Sequence, residues 1–505
     1  MTLDRLVATG VLCGVAAFAC RPDSALTPRS NDPAATRTIS ASAVSAATIA
    51  PAASDRYLVV FKSSAGANAV AAELNANGGR FEGVRGDLGF AVVSGISSDA
   101  AARLRGAASI AAVEADIEFA LEPIVETAEV DATDLIASPT APQTASQFAR
   151  QWNMRAVAAN TAWASGFLGA SDVKVAILDT GIDYLWPDLA GRVDLTRSLS
   201  LRPDEDARFH TWFPTSTRHP ITDLNAHGTL VSSIVASNSG FFAGVTTRTT
   251  LFGVKVCIVF NTCSTAAILN GILYAVDQGA DVINMSLGGA FLKSANPGFV
   301  SVINSVFNYA NKRGVVIVVA AGNAAADIDH SGNVYFTYCN SPHVVCVSAT
   351  GPTAAPAAGG PFTNPDAVAP YTNFGRSAIS LAAPGGGLTT PVNGNVFVTG
   401  PCSSTSLNWF QPPPPSPGAP PPPPVITGPL CPLPGLFLVR GAGTSFSSPH
   451  VAGAAALVVA QIGRGQPSQV RAVLQKSADD LGQPGTDPFY GRGRLNVARA
   501  VGAIP

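Results

Sequence analysis

The chain has 505 residues, and at roughly 150 residues per domain this length predicts about three folded units. Charged residues make up 13% of the chain, hydrophobic residues 47%, and the formal net charge is -2. This composition excludes a basic nucleic-acid-binding surface and a polyelectrolyte tail, so we expect no nucleic-acid partner. The later apolar runs, such as 451–460 and 315–321, fall short of the roughly 20 residues that span a bilayer, and we expect a soluble mature protein.

Residues 1–20 are typical of a signal peptide for bacterial export. Arg5 precedes an apolar stretch from Leu6 to Phe18, and small residues lead up to Cys20. The Ala-Phe-Ala sequence before Cys20 fits a plain cleavage site and also a degenerate lipoprotein signal, in which Cys20 would be acylated. Cys20 is therefore either a transient membrane anchor or an ordinary residue of the signal peptide. In both cases we expect a protein that is secreted or held in the cell envelope.

Two linkers enclose a small module. Residues 21–55 are rich in Ala, Ser, Thr and Pro and are interpreted as a flexible linker. In residues 56–121 the pattern predicts a β-α-β-α-β module, which is small for an independent core and needs a partner surface. The segment 122–147 is a Thr-, Pro- and Ala-rich acidic linker, where proteolysis is expected. The predicted strands are 57–61, 89–93 and 110–119, and the predicted helices are 67–77 and 98–105.

The main domain is predicted to span residues 148–505. Its apolar strands alternate with helical stretches, which indicates a parallel sheet covered on both faces. One insertion at about 402–431 interrupts this pattern, and its segment Gln411 to Pro424 is almost entirely proline, which favours polyproline II. The predicted strands are 173–178, 251–256, 282–285, 315–320 and 344–347, and the predicted helices are 266–278, 300–313 and 445–462.

The cysteines after residue 250 predict disulfides. Six cysteines fall into three pairs of near neighbours in an exported chain, where thiols oxidise. The predicted bonds are Cys257/Cys263, Cys339/Cys346 and Cys402/Cys431.

Four polar residues follow apolar strands or begin helices. Asp179 directly follows the predicted strand 173–178, at the sheet edge where open α/β folds place their sites. His227 and Ser445 each begin a helical run, so the Ser445 N–H and the helix dipole would face an oxyanion. Asn323 follows another strand and can donate a second hydrogen bond there. Asp orienting His, His deprotonating Ser, and two oxyanion donors are sufficient for acyl transfer.

The motifs around these residues resemble those of subtilisin-like serine proteases (subtilases). They are AILDTGID around Asp179, AHGTLV around His227, VAAGN ending at Asn323, and GTSFSSPHVAG around Ser445. The resemblance implies an Asp179, His227, Ser445 triad with Asn323 in the oxyanion hole. It also implies a doubly wound, mostly parallel α/β sheet and, for residues 56–121, an α+β inhibitory propeptide. The residues that the resemblance implies for substrate binding are Ser286, Leu287, Gly288, Ala320, Ala321 and Gly322.

Other features of the family are carried over with alternatives. No cofactor is needed for the chemistry, but structural calcium is expected in this family, and Asp188 matches a calcium ligand; a surface capping role is the alternative. His450 is interpreted as a packed structural imidazole, and Ser286 as a binder of substrate backbone rather than a second nucleophile. The usual Gly before the catalytic His is Ala226 here, and the usual His-Gly-Thr-His is His-Gly-Thr-Leu.

The resulting expectation is a monomeric, secreted serine endopeptidase made as a self-processing zymogen. Its partners would be protein or peptide substrates and its own propeptide, acting as an intramolecular inhibitor. Two alternatives come from other functional classes. One is a catalytically inactive subtilase-like binding protein, which would normally lack one of the four polar residues. The other is a cell-surface adhesive protein that uses the proline-rich segment as a ligand.

Overall fold

The computed structural model describes residues 55–62, 71–72, 75–76, 78–121, 126–130, 137–357, 359–387, 397–401, 406–410, 412, 414–416, 419, 422–429 and 436–505. For residues 126–130, 397–401, 409 and 436–440 the description covers the backbone. The predicted signal peptide, the linker 21–54 and most of the predicted helix 67–77 lie outside the described residues, as do Cys20, Cys402 and Cys431. All the described residues belong to one compact unit within residues 39–505.

The elements follow in chain order. The strands are β1 (Tyr57–Phe61), β2 (Arg80–Arg85), β3 (Phe90–Ser94), β4 (Ile110–Ala115), β5 (Glu118–Ala120), β6 (Glu126–Val130), β7 (Lys174–Asp179), β8 (Leu199–Ser200), β9 (Thr250–Lys255), β10 (Thr262–Ser264), β11 (Val282–Met285), β12 (Ala290–Leu292), β13 (Val316–Ala320), β14 (Val334–Phe336), β15 (Val344–Thr350), β16 (Leu381–Pro384), β17 (Phe397–Pro401), β18 (Leu407–Phe410), β19 (Val425–Pro429) and β20 (Leu436–Gly441). The helices are α1 (Ser98–Arg105), α2 (Trp152–Ala156), α3 (Ala159–Ala164), α4 (Pro203–Trp212), α5 (His227–Val235), α6 (Thr265–Asp277), α7 (Pro297–Lys312), α8 (Thr444–Ile462), α9 (Pro467–Lys476) and α10 (Val497–Ala500).

The central sheet has seven parallel strands in the order β16-β15-β13-β11-β7-β9-β8. Helices cover both of its faces, so successive residues of one strand are buried on opposite sides. On β7, Val175 and Ile177 pack in the cluster that includes α5 and α8, whereas Ala176 and Leu178 pack in the cluster that includes α6 and α7. The predicted doubly wound, mostly parallel fold is confirmed.

Helix α8 is the longest helix in the described part of the chain. Its 19 residues are apolar enough to cross a membrane, but 78% of its most apolar window is buried. It contacts α5, β11, β13, β15 and β16, as expected for the central helix of a soluble core. The apolar run 451–460 in the sequence is therefore the interior of a longer core helix.

The N-terminal module is a four-stranded antiparallel sheet in the order β2-β3-β1-β4. Tyr57 and Val59 pack on the face that contacts α1, and Leu58 packs with the cluster that contains α6 and α7. The module therefore has the partner surface that its small core needs. Strand β2 was not predicted because its sequence, RFEGVR, is polar and only partly buried at the edge of the sheet. The predicted strand 110–119 is instead two strands, β4 and β5.

Two carboxylates of the module accept hydrogen bonds from the N-termini of α6 and α7. The Glu114 carboxylate accepts from the backbone N–H groups of Gly298 (2.6 Å) and Phe299 (2.8 Å). The Asp116 carboxylate accepts from the Ala266 N–H (2.9 Å) and from the Ser264 hydroxyl. The first turn of a helix has unpaired N–H groups and a positive dipole end, so both contacts stabilise the docked module.

Candidate active site

Asp179 and His227 form the buried polar pair of the site. Asp179 is the last residue of β7, and His227 is the first residue of α5. Asp179 Oδ1 lies 2.7 Å from His227 Nδ1, and both side chains are almost fully buried. The Thr180 N–H also donates to Asp179 Oδ1 (2.7 Å). A carboxylate that accepts the Nδ1 proton fixes the imidazole tautomer, with the lone pair on Nε2.

Asp223, which the sequence did not single out, holds the turn that leads to His227. Its Oδ1 accepts from the N–H groups of Asn225 (2.9 Å) and Ala226 (3.0 Å), and from the Thr180 hydroxyl (3.0 Å). Its Oδ2 accepts from the Thr229 N–H (2.9 Å) and hydroxyl (2.6 Å). One buried carboxylate thus links the end of β7, through the Thr180 hydroxyl, to the first turn of α5.

Ser445 is the second residue of α8, directly at its N-terminus. Its hydroxyl donates to the carbonyl oxygen of Ser286 (3.1 Å), and the Ser286 hydroxyl donates to the carbonyl oxygen of Ser445 (2.7 Å). The ring of the next residue, Phe446, lies 6.0 Å from the His227 ring between centroids. Ser286 is buried and its hydroxyl also bonds to Ser448, which disfavours a second nucleophile at Ser286.

Asn323 follows β13 and faces the start of α8. Its Oδ1 accepts from the Thr444 N–H (2.8 Å) and from the Thr444 hydroxyl (2.8 Å). A backbone N–H can only donate, so the Thr444 contact fixes which end of the amide is oxygen. The Nδ2 donor therefore points away from Thr444. This is the orientation that an oxyanion donor beside Ser445 requires.

A cavity of about 330 Å³ lies beside Ser445 and Asn323. Five of the six residues predicted to bind substrate line this cavity, and Ser286 is not among its lining residues. Two lining residues that the sequence did not indicate, Phe336 and Thr337, come from β14 and the residue after it, where no motif marks them. The predicted lining residues are Leu287, Gly288, Ala320, Ala321 and Gly322.

The end of the N-terminal module lies in the mouth of this cavity. Strand β5 pairs antiparallel with β10, and the Leu121 N–H donates to the carbonyl oxygen of Asn261 (2.6 Å). Phe119, Ala120 and Leu121 all line the cavity together with Ser445. A Cβ atom on Gly289 would lie 2.1 Å from the Phe119 ring, so only glycine leaves room for that ring.

His450 is buried in α8 and has a partner on each ring nitrogen. Nδ1 bonds to the carbonyl oxygen of Phe446 (2.8 Å), and Nε2 bonds to the amide nitrogen of Asn153 (2.9 Å). Burial lowers the pKa of His450 to about 4. These contacts agree with its interpretation as a structural imidazole, because both nitrogens are used within the core.

Two of the three predicted disulfides are present among the described residues. Cys257 is bonded to Cys263, and Cys339 is bonded to Cys346. The first bond closes the loop that carries β10, so it braces the strand against which β5 pairs.

A parallel α/β sheet with a buried Asp–His pair at its edge, and a helix N-terminus that presents a serine beside a cavity, is the arrangement expected of a serine hydrolase. Comparison with known proteins identifies the family. Residues 170–493 match the peptidase S8 family, which is described as the "Subtilase family". The chain belongs to the subtilase family and is a serine peptidase.

Named relatives and solved structures agree with this assignment. Thermitase from Thermoactinomyces vulgaris is 29% identical over 356 residues, which cover 70% of this chain and 96% of thermitase. Subtilisin amylosacchariticus from Bacillus subtilis subsp. amylosacchariticus is 28% identical over 66% of this chain and 67% of its own length. The epidermin leader peptide processing serine protease from Staphylococcus aureus shares the fold, with a TM-score of 0.64, 20% identity, and coverage of 89% of this chain and 98% of that one.

Subtilases need no cofactor for catalysis, but the family often binds calcium, so the environment of Asp188 is informative. Asp188 Oδ1 accepts from the N–H groups of Gly240 (2.8 Å) and Phe241 (2.9 Å), and Oδ2 accepts from that of Phe242 (2.9 Å). These N–H hydrogens occupy the positions where a cation would lie. The surroundings of Asp188 therefore do not fit a calcium site, and because Asp188 is fully buried they do not fit surface capping either.

Proposed function

We propose that the chain is a secreted serine endopeptidase, made as a self-processing zymogen, that uses Ser445 as nucleophile and His227 as general base. Asp179 orients the imidazole, and Asn323 and the Ser445 N–H stabilise the oxyanion. The observation that carries this proposal is the buried 2.7 Å bond from Asp179 Oδ1 to His227 Nδ1, with the His227 ring 6.0 Å from that of Phe446, the residue after Ser445 at the N-terminus of α8.

The proposed reaction begins when the Ser445 hydroxyl rotates from the Ser286 carbonyl toward His227 Nε2. As Oγ attacks the substrate carbonyl carbon, its proton moves to Nε2, and the carbonyl oxygen becomes an anion that Asn323 Nδ2 stabilises. The C–N bond then breaks, and the imidazolium protonates the leaving amine. Water, deprotonated by the same imidazole, releases the acid from the acyl-enzyme and regenerates the Ser445 hydroxyl.

The position of the N-terminal module supports an inhibitory role before maturation. Its last strand, β5, lies extended in the cavity that Ser445 lines, so a substrate could not enter there while the module is docked. We infer that the enzyme cuts the linker 122–147 and releases the module. If Cys20 is acylated, the lipid lies N-terminal to this cut, and maturation would release the protease from the membrane.

The first prediction tests catalysis. Ser445→Ala should lower kcat by about 10⁶ and Asn323→Ala by about 10² to 10³, magnitudes taken from subtilisin, a relative. The measurement is hydrolysis of a chromogenic peptide by purified enzyme, with phosphonate labelling of the serine in parallel; every protein compared, Ser445→Ala included, is first cut within 122–147 by an added protease and separated from the module. The Ser445→Ala chain should also remain uncut in 122–147 when expressed alone. A Ser445→Ala protein with full peptidase activity would show that another residue is the nucleophile. A wild-type chain that neither cleaves peptides nor reacts with the phosphonate would instead support the inactive binding protein.

A further inference from the structure

A second strand, β20, leads directly to the nucleophile. It ends at Gly441, and helix α8 begins at Thr444. β20 is the central strand of a three-stranded sheet in the order β17-β20-β6. On one side it pairs with β17, which precedes the proline-rich insertion in the chain. On the other side it pairs antiparallel with β6, from Leu436 opposite Val130 to Arg440 opposite Glu126.

Strand β6, which covers β20, follows in the chain soon after residues 119–121, which line the cavity. Residues 118–120 pair with β10, Leu121 lines the cavity beside Ser445, and β6 begins only five positions later at Glu126. At no more than about 3.6 Å per residue, Glu126 lies within roughly 18 Å of Leu121. One stretch of chain thus pairs with two different strands, first with β10 beside the cavity and then with β20, which leads to the nucleophile.

The insertion between β17 and β20 is attached to the body of the domain near His227. The N–H of Leu407, in β18, donates to the carbonyl oxygen of Leu224 (2.7 Å), three residues before His227. Leu407 and Ile426, from the paired strands β18 and β19, pack against the buried side chains of Phe209 and Val259. The root of the insertion therefore has a fixed support beside the site.

We propose that β20 is a substrate-binding strand for the leaving-group side of extended polypeptides. This inference rests on the proposed function and names its substrate class: long, unfolded peptide segments. A substrate would add one strand to β10 before the scissile bond and another to β20 after it, along the path of residues 118–130. In the uncut chain β6 occupies β20, so the N-terminal segment covers both binding strands.

Strand addition has a characteristic signature. Main-chain hydrogen bonds supply the affinity, so the contribution of β20 is independent of side-chain sequence and depends on the length of the substrate. In an antiparallel pair, successive residues direct their N–H groups alternately toward and away from the partner strand. Removing the N–H groups of one alternate set of residues therefore removes hydrogen bonds to β20, whereas removing those of the other set leaves these bonds in place.

The test uses enzyme from which residues 1–130 have been removed. A recognition sequence for a site-specific protease, placed within 131–136, defines the cut. Quenched fluorescent peptides share all residues before the scissile bond and the first two after it, and carry neutral Ser/Thr/Gln tails that bring the leaving-group side to 3, 5, 7 or 9 residues. We expect kcat/KM to rise about tenfold from the shortest to the longest peptide, mostly through KM. N-methylation of one alternate set of tail residues should abolish the rise in kcat/KM, and N-methylation of the other set should preserve it.

Two results would overturn the inference: a kcat/KM that does not change with tail length, or a gain that survives N-methylation of each alternate set in turn. Cleavage of the shortest peptide, lost in Ser445→Ala, shows separately that the proposed function holds. A chain in which Asn-Gly replaces Gln411 to Pro424, so that a two-residue turn joins β18 to β19, is the matched control, and it should keep the full length dependence. Loss of the gain in this control would assign it to the proline-rich segment instead of β20.

Discussion

Ala226, the residue before His227, has a backbone conformation that suits glycine. Its φ is +96°, in the left-handed region, where a Cβ atom is strained by about 1–2 kcal/mol. The two N–H donors at Asn225 and Ala226 that bond to Asp223 keep the turn in this conformation. The cost of the strain is therefore offset by the hydrogen bonds that position the imidazole.

We predict that Ala226→Gly stabilises the protein by about 0.5–1 kcal/mol, because relief of strain exceeds the added entropy of the unfolded chain. The control is Ala472→Gly, inside helix α9, which should destabilise by about 1 kcal/mol. Urea denaturation in a Ser445→Ala background avoids self-digestion. Equal losses in both variants would mean that the strain at Ala226 contributes nothing.

His450 predicts a pH dependence of stability. Its folded-state pKa of about 4 lies below the ordinary value of 6.5, because burial in the core disfavours the charged imidazolium, and the hydrogen bond to the Phe446 carbonyl offsets this only in part. The contribution of the neutral His450 to the free energy of unfolding is complete above pH 6.5. It is lost as the pH falls toward 4, because the unfolded chain binds a proton at a higher pH than the folded chain does. The loss amounts to about 3 kcal/mol at most.

His450→Gln removes this titration. Its stability deficit relative to the wild-type residue should therefore shrink as the pH is lowered from 7 to 4.5, when both are measured by denaturant unfolding in the Ser445→Ala background. His343→Gln, at an exposed position, controls for the loss of a histidine as such. A deficit for His450→Gln that stays constant over this range would contradict the prediction.

At the scale of elements, the loop 237–243 takes the position next to Asp188 that a cation would need. Three backbone N–H groups already bind its carboxylate, so Asp188→Asn should destabilise by about 2–3 kcal/mol, equally with and without a calcium chelator. The measurement is thermal unfolding of both proteins in EDTA and in millimolar calcium. Chelation that destabilises the wild-type protein and leaves Asp188→Asn unchanged would restore Asp188 as a calcium ligand.

The elements that could be predicted from sequence are those whose burial is continuous. The apolar run at 282–285 is a strand with those bounds, and 173–178 and 315–320 shift by one residue at one or both ends, because both faces of each strand are covered. Strand β6 was assigned to a linker, since its Thr and Glu residues show no apolar pattern and its pairing comes from a partner some 300 residues away.

The candidate site likewise contains residues that the sequence predicts and residues that it does not. Asp179, His227, Asn323 and Ser445 carry reactive groups in distinctive local motifs, and the structure brings them to one edge of the sheet. Asp223 bonds mainly to its own turn and to Thr180, and Phe336 lines the cavity, but neither lies in a motif that marks its role. The third predicted disulfide, Cys402/Cys431, stays a prediction.

At the scale of the whole molecule, the docked module is bound partly through Glu114 and Asp116. Changing both to their amides, Glu114→Gln with Asp116→Asn, should weaken the proposed inhibition by the module about 30-fold, since each carboxylate at a helix N-terminus contributes about 1 kcal/mol. The measurement is the inhibition constant of the cut, unseparated protein on dilution. Asp99→Asn, exposed on α1, is the matched control and should leave this constant unchanged. An unaltered constant in the double variant would place the binding energy elsewhere on the module.

Gly289 carries a consequence for how this protein can evolve. Its single hydrogen leaves the space that the Phe119 ring occupies, and a substrate that follows the same path would place a side chain there too. Under the proposed function, a larger residue at 289 would weaken the docking of the module at Phe119 and, by the same clash, change which substrates are accepted. Substrate selectivity and docking of the module therefore depend on the same residue, and a lineage that changes residue 289 must also change residue 119 to keep the module docked.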